Sequence, residues 1–341
     1  MRAGFIEEPG KAYFKEVPEP QIEKSTDVKI KVVVTGICGS EVHAYHGKHA
    51  WRVPPLVSGH EFAGIVVEVG SDVTSVKVGD RVTAEPQYGC GDCPQCRIGK
   101  YNICKNKKIL GATYWSGSFG EYVVVPEKTV VHLSDDVSFE EGALIEPIAV
   151  GMHAVRERDV SIGQNILIIG AGTIGLGVYL SAKICNPSKI IVADVVDYNL
   201  EMARELGCEY TINSMKDNLE AEVKKLTNGE GVDITFLAFG NAPVVESASK
   251  CTKEGGVISE IAVIPNGTGC PYNMIQVKQQ SLIGSNMYVR KDYEVVVENM
   301  AKGRIDSKKM VSKIYPIEEF TAAMEMADKR TEPVVKVMLK F

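Results

Sequence analysis

The 341-residue chain lacks several features that mark large functional classes. No apolar run approaches the ~20 residues a membrane helix needs, so a membrane-spanning protein is not expected. Basic residues are not in excess: 38 Lys plus Arg against 44 Asp plus Glu give a net charge of −6. That balance favours solubility and gives no field for a polyanion, so nucleic acid is not an expected partner. The start of the chain meets Glu7, Glu8 and Pro9 before any apolar stretch forms. No secretory signal is read there, and a cytoplasmic location is expected. No internal repeat or low-complexity segment is found. The length corresponds to about two domains, long enough to bury a core without disulfide staples.

What the chain does have is cysteine in an uneven arrangement. There are nine, an odd number. Four of them, Cys90, Cys93, Cys96 and Cys104, fall in one short segment, separated by gaps of two, two and seven residues. Four thiolates from a single loop can enclose a tetrahedral Zn²⁺ and leave no position open for chemistry, so the expected site is structural. An iron–sulfur cluster is the competing reading of C-x2-C-x2-C, but that run continues with a three-residue gap and then Cys-Pro. Here the gap is seven and Lys105 follows Cys104, which favours zinc.

The two halves of the chain differ in pattern. Segments such as Val28–Val34, Ala63–Gly70 and Gly120–Pro126 are short, rich in β-branched residues and bounded by turn residues. They predict a small barrel or sandwich over about residues 1–150. Beyond residue 150 apolar strands alternate with helical spacing: a strand at 165–169, a helix from Ile174 to Cys185, a strand at 189–194 and a helix at 199–206. Further strands follow at 233–239 and 256–263. This alternation predicts an α/β domain with a doubly wound parallel sheet. Helices at 293–303 and 317–328 and a strand at 334–341 close the chain.

Within the second half, Gly170-Ala171-Gly172-Thr173-Ile174-Gly175 leaves a predicted strand and opens a helix, and Asp194 ends the next strand. The glycines suit a tight turn, close approach of pyrophosphate to the backbone, and close packing of helix on strand. Asp194 can accept from adenosine ribose hydroxyls and would repel a 2′-phosphate, and no Arg or Lys follows at 195–197. NAD is therefore expected rather than NADP. The competing reading is a glycine-rich packing turn with a capping Asp.

In the first half, Cys38 and His60 are suitable Zn²⁺ ligands, and Glu61 and Glu146 offer carboxylate oxygen. Taken singly, the Cys is more often a buried small apolar residue, the His more often a satisfied polar group, and Glu146 reads as a helix or turn residue.

Taken together, Gly59-His60-Glu61, the four-cysteine segment, Gly170–Gly175, the barrel-like first half and the dinucleotide fold make the chain resemble the zinc-dependent medium-chain alcohol dehydrogenase superfamily. The resemblance covers essentially the whole chain. Glu146-Pro147 points to the polyol branch, with sorbitol, butanediol, threonine and galactitol-phosphate dehydrogenases, because alcohol dehydrogenases proper carry a cysteine at the place of Glu146.

The resemblance implies a GroES-like β-barrel catalytic domain over 1–152 and 285–341, with a Rossmann NAD-binding domain over 153–284. It implies one catalytic zinc on Cys38, His60 and Glu61, with Glu146 as a fourth ligand or holding a water, besides the structural zinc. It implies a proton relay in which Ser40, the cofactor ribose and His43 carry the hydroxyl proton outward, with the substrate in the cleft between domains. Thr173, Ile174, Asn199, Ile261, Val263 and Asn286 join the glycines and Asp194 as expected cofactor contacts. The implied reaction is reversible, NAD-linked oxidation of a secondary alcohol to a ketone in a polyol, sugar acid or sugar phosphate. A threonine- or butanediol-type activity on a smaller substrate is the alternative. The relatives also imply a homodimer or homotetramer, joined through a sheet edge for which Ser281–Val289 is a candidate.

Three positions depart from the family pattern. Glu41 stands where Asp is usual, which unsettles the support of His60. Asn199 stands where many relatives carry an Arg near the adenine. Met287 replaces the Arg that contacts polyol in sorbitol dehydrogenases, which makes sorbitol itself a poor candidate. The segment 45–52 is rich in basic and aromatic residues, so Lys48 and Arg52, with Arg290 nearby, are candidates to pair with an anionic group on the substrate. A solvated basic loop is the plainer reading. Two other classes are less compatible with these residues. A zinc-free NADPH quinone or enone reductase conflicts with the metal set and Asp194. A non-enzymatic protein on a dehydrogenase fold would not need the relay.

Overall fold

The computed structural model describes residues 1–264 and 267–341. The strand Asp27–Gly36 organises the first half, because its DVKIKVVVTG sequence is buried along nearly its whole length. It pairs antiparallel with Glu61–Val69, Tyr122–Pro126 and Lys336–Lys340. The resulting sheet runs in the order Val311–Pro316, Lys336–Lys340, Asp27–Gly36, Glu61–Val69, Arg81–Ala84, Val130–His132. Two register shifts between Asp27–Gly36 and Glu61–Val69 bend the pair, as β-bulges do. Val28, Ile30, Val32, Phe62, Val66, Val82 and Val123 fill the core. Burial of each such side chain contributes about 1.5–3 kcal/mol. Two register pairs matter for function: Gly36 lies opposite both Glu61 and Met338.

The second half is a six-stranded parallel sheet in the order Tyr210–Asn213, Lys189–Asp194, Asn165–Ile169, Val232–Leu237, Thr252–Glu260, Ser281–Gly284. Order reverses at the central strand Asn165–Ile169, which makes its carboxyl end a topological switch point. Its residues Ile166, Leu167 and Ile168 are fully buried, which explains why this strand reads as an apolar run rather than an alternation. The helices Thr173–Lys183 and Asp197–Glu205 follow the first two strands of this domain.

The chain forms two compact units. One comprises Met1–Glu146, Val289–Lys302 and Met310–Phe341, the other Pro147–Tyr288 and Gly303–Lys309. The first boundary falls inside the helix Phe139–Glu157. The helix expected at 293–303 begins earlier, at Arg290, because the Asp292 carboxylate accepts from the Val289 amide at 2.9 Å and caps the first turn. Ser281–Gly284 is the outer strand of the parallel sheet, and all four of its residues are exposed. Among the described residues no helix is long and apolar enough to cross a membrane.

Candidate active site

The four clustered cysteines come together. Ligand atoms of Cys90, Cys93, Cys96 and Cys104 all lie within 4.8 Å of one another. Cys90 Sγ is 3.9 Å from Cys96 Sγ and 3.6 Å from Cys104 Sγ. A tetrahedron with Zn–S bonds of ~2.3 Å has S–S edges of about 3.8 Å, so the spacing fits that ion. Local structure brings this about. Cys93 caps the short helix Pro94–Arg97 and accepts from the Cys96 amide, and a 3-10 turn at Tyr101–Ile103 returns Cys104 to the group. All nine cysteines are unpaired.

The second group mixes donor types. Cys38 ends the turn after Asp27–Gly36 and caps the helix Gly39–Tyr45, and His60 and Glu61 open the neighbouring strand region. Glu146 arrives from the helix Phe139–Glu157. Ligand atoms of Cys38, Glu41 and His60 form one set within 4.8 Å, and those of His60, Glu61 and Glu146 form another. Thiol, imidazole and carboxylate in a buried cluster are a donor set suited to zinc.

Glu41 is the hub beneath His60. Its Oε1 lies 2.9 Å from His60 Nδ1 and accepts from Ser58 Oγ at 3.1 Å, and its Oε2 accepts from the Cys38 amide at 3.1 Å. With Nδ1–H donating to Glu41, the Nε2 lone pair remains for a metal. Burial opposes ionisation of Glu41, yet His60 and Arg52 hold its carboxyl well below the usual range. Burial works against a charged His60, and Glu41 outweighs it, so the ring is held basic. The residue that departs from the family pattern thus makes the contact a shorter Asp would be expected to make.

Ser40 stands in the first turn after Cys38. Its Oγ is buried and has no hydrogen-bond partner among the described residues. An unsatisfied buried hydroxyl costs about 1–3 kcal/mol, which a bound hydroxyl would relieve. His43, one turn further along, is exposed.

The glycine loop lies at the switch point of the parallel sheet. A Cβ at Gly175 would overlap the Gly170 carbonyl oxygen, so helix and strand pack only with glycine there. At Gly172, which caps the helix that opens with Thr173 and Ile174, a Cβ would meet open space. That is the side on which a pyrophosphate can approach. Asp194 Oδ1 accepts from the Val195 and Val196 amides at 2.7 and 2.8 Å, and Oδ2 accepts from Ala171 at 2.6 Å. Asn199 is buried and donates to Asp194 Oδ2 at 3.3 Å, so its amide orients the carboxylate. Ile261 is half-buried, and Val263 and Asn286 are exposed.

The substrate candidates are dispersed in role. Arg52 is turned inward and only 5% exposed, with Nε 3.1 Å from Glu41 Oε1 and Nη1 3.3 Å from His49 Nε2. Arg290 donates to the Lys128 and Val130 carbonyls and to Glu294. Both guanidinium groups therefore tie the chain together, against the expectation that they face an anion. Lys48 is exposed, and Met287 is half-buried with a left-handed backbone. Lys336 escaped the sequence reading. It lies 2% exposed beside Glu61, and the only signal for it is a single charge inside the apolar run Val334–Leu339.

With this geometry in view, likeness to known proteins is decisive. Residues 24–135 match the alcohol dehydrogenase GroES-like domain and residues 173–302 the zinc-binding dehydrogenase domain. The sorbitol dehydrogenase of Bacillus subtilis is 34% identical over 344 residues, 99% of this chain and 97% of that one. The D-arabitol-phosphate dehydrogenase of Enterococcus avium is 34% identical over 334 residues, 95% and 92% of the two chains. The crystal structure of 2R,3R-butanediol dehydrogenase from Bacillus subtilis superposes with a TM-score of 0.90 at 30% identity, covering 100% of this chain and 99% of that one.

The fold and donor sets define a zinc-binding medium-chain dehydrogenase. The chain belongs to that family, in the branch of the polyol dehydrogenases, and is an oxidoreductase acting on an alcohol with a nicotinamide dinucleotide.

Proposed function

We propose that the protein oxidises a secondary alcohol of a polyol, sugar acid or sugar phosphate to a ketone, reversibly, with NAD. The observation that carries this is Ser40 Oγ, buried and without a partner among the described residues, two residues beyond Cys38, where a substrate hydroxyl would meet it. The dehydrogenases of sorbitol and arabitol phosphate among its relatives support the substrate class.

Cys38, His60 and a carboxylate from Glu61 or Glu146 would hold the catalytic zinc, and Cys90, Cys93, Cys96 and Cys104 the structural one. When bound, zinc supplies a Lewis acid that lowers the pKa of the substrate hydroxyl, and the nicotinamide accepts hydride. Ser40 Oγ accepts the hydroxyl proton as it passes its own to the cofactor ribose, and His43, being exposed, delivers a proton to solvent. Glu41 fixes the ring of His60 throughout. Gly170, Gly172 and Gly175 leave room for the pyrophosphate, and Asp194 accepts from the ribose and disfavours a 2′-phosphate.

The first compact unit serves as the catalytic domain and the second as the dinucleotide-binding domain. The exposed edge strand Ser281–Gly284, with Leu282 and Ile283, supports a homodimer or homotetramer joined there. Nine unpaired cysteines suit a reducing compartment such as the cytoplasm.

The test is a screen of NAD reduction across neutral polyols, sugar acids, sugar phosphates and amino alcohols. Turnover within the first three classes is expected. Turnover confined to amino alcohols or butanediol would replace this reading by the threonine or butanediol type. Lys48 is an exposed cation that could pair with an anionic group, and a neutral polyol preferred about tenfold or more over its phosphate or acid would remove that role.

A further inference from the structure

Asp194 is followed three residues later by a second carboxylate, Asp197, which opens the helix Asp197–Glu205. Asp197 Oδ1 accepts from Asn213 Nδ2 at 2.7 Å, and its Oδ2 accepts from Lys216 Nζ at 2.7 Å. Lys216 first, then Asn213, holds the Asp197 carboxyl below its ordinary range. Among the described residues Lys216 has no other acidic partner. Both side chains stay open to water, with Asp197 65% and Lys216 63% exposed.

Strand register builds this group. Asp194 pairs with Asn213 at the carboxyl ends of the parallel strands Lys189–Asp194 and Tyr210–Asn213. That end of a parallel sheet is where a dinucleotide binds. The Ser214 amide donates to the Asp194 carbonyl at 3.0 Å, so the turn that carries Lys216 starts beside Asp194. Asn213 is buried and holds both sides of the group. Its Oδ1 accepts from the Met215 amide at 3.0 Å, while its Nδ2 reaches Asp197. Asp194 Oδ1 takes the Val195 and Val196 amides and so lies at the same helix start as Asp197.

We infer that Asp197 is a specificity-determining residue for the cofactor: it neutralises Lys216 and so denies a 2′-phosphate the cation at the edge of the ribose site. The inference rests on the reading that Asp194 faces the adenosine ribose. A phosphate monoester carries about −1.5 to −2 charge near pH 7, so it gains most from an unpaired ammonium. Here it has to compete with Asp197 for Lys216. An exposed ion pair is weak, so one partner can be changed without loss of the fold. Arg204, the basic residue in the last turn of the same helix, donates to Thr211 Oγ1 at 2.9 Å instead.

The experiment is calorimetric titration of NAD and NADP into the unmodified protein and three variants. These are Asp194→Ser, Asp194→Ser/Asp197→Asn, and Asp194→Ser/Asp197→Asn/Lys216→Met. The quantity read is the Kd for NAD divided by that for NADP, two ligands that differ only in the 2′-phosphate. Asp197→Asn keeps a side-chain oxygen for Asn213 and removes only the charge. NAD affinity in the same titrations reports that each variant has folded.

Asp197→Asn is expected to raise the ratio about three- to fivefold over Asp194→Ser, the scale of one exposed ion pair. Adding Lys216→Met is expected to return it to within about twofold of Asp194→Ser, because a neutralised pair and two absent charges sum alike. Asp194→Ser/Asp197→Ser repeats the comparison should Asp197→Asn fail to fold. A ratio unmoved by loss of the Asp197 charge, or a gain that survives Lys216→Met, overturns the inference. A ratio equal in the unmodified protein and Asp194→Ser overturns instead the reading of Asp194 beneath it.

Discussion

The Glu41 carboxylate sits 2.9 Å from His60 Nδ1 in the protein interior and also bears the Arg52 ion pair at 3.1 Å. One side chain thus fixes the His60 ring and neutralises a buried cation. Glu41→Gln is expected to lower affinity for the catalytic zinc by about 10–100-fold. It also strips Arg52 of its counter-charge, at about 3–5 kcal/mol of stability. Chelator competition and urea unfolding measure the two effects, and unchanged zinc affinity would show that Glu41 does not orient His60.

Cys96→Ser should remove the structural zinc and nothing else directly. Zinc content per chain then falls by one equivalent while the catalytic zinc stays. Because metal binding and folding of the segment 90–104 are linked, the melting temperature drops with it. Full zinc content in the variant would refute the four-thiolate site.

If Asp194 accepts from the ribose as proposed, Asp194→Ser removes that acceptor and the charge that would repel a 2′-phosphate. The ratio of kcat/KM for NAD to that for NADP should fall by at least about tenfold, or ~1.4 kcal/mol. A ratio that does not move assigns the choice of cofactor elsewhere.

Glu85 offers a pH test. It is 3% exposed, and burial pushes its carboxyl up to about 7 despite the hydrogen bond that Tyr101 Oη donates at 2.7 Å. A raised carboxyl binds a proton more tightly folded than unfolded. Between the unfolded pKa near 4.3 and about 7, stability therefore declines as pH rises. Glu85→Gln removes that decline, so the variant should melt higher than the unmodified protein at pH 8, by up to about 3 kcal/mol, and no higher at pH 4. Parallel melting curves across this range would falsify the assignment.

Ile283→Asp places a charge on the exposed edge strand Ser281–Gly284. If copies join there, the variant should sediment as a smaller species than the unmodified protein at the same concentration. Sedimentation velocity reads this directly, and an unchanged value moves the contact to another surface.

The sequence made some parts of this protein legible and hid others. The cysteine gaps announced a closed tetrahedral group because all four donors lie on one loop, where spacing in the chain is nearly spacing in space. The glycine loop was readable for the same reason, since strand, turn and helix are consecutive. Lys336 was not readable, because it is 275 residues from Glu61 and meets it only through strand register. Arg52 misled for a related reason: a basic residue in a polar loop is usually solvated, and here a buried carboxylate turns it inward.

The sequence by itself determined what is local: two domains of different periodicity, a four-thiol loop, a phosphate-sized gap in a turn, and the residue types for a zinc-linked alcohol oxidation. Only the tertiary structure decided what those residues meet. It gave Glu41 both His60 and Arg52, left the Ser40 hydroxyl unpartnered among the described residues, and set an ammonium on the Glu61 carboxylate. Each of these depends on pairing between distant strands and on burial, where an unpaired charge is costly and a partner is therefore fixed.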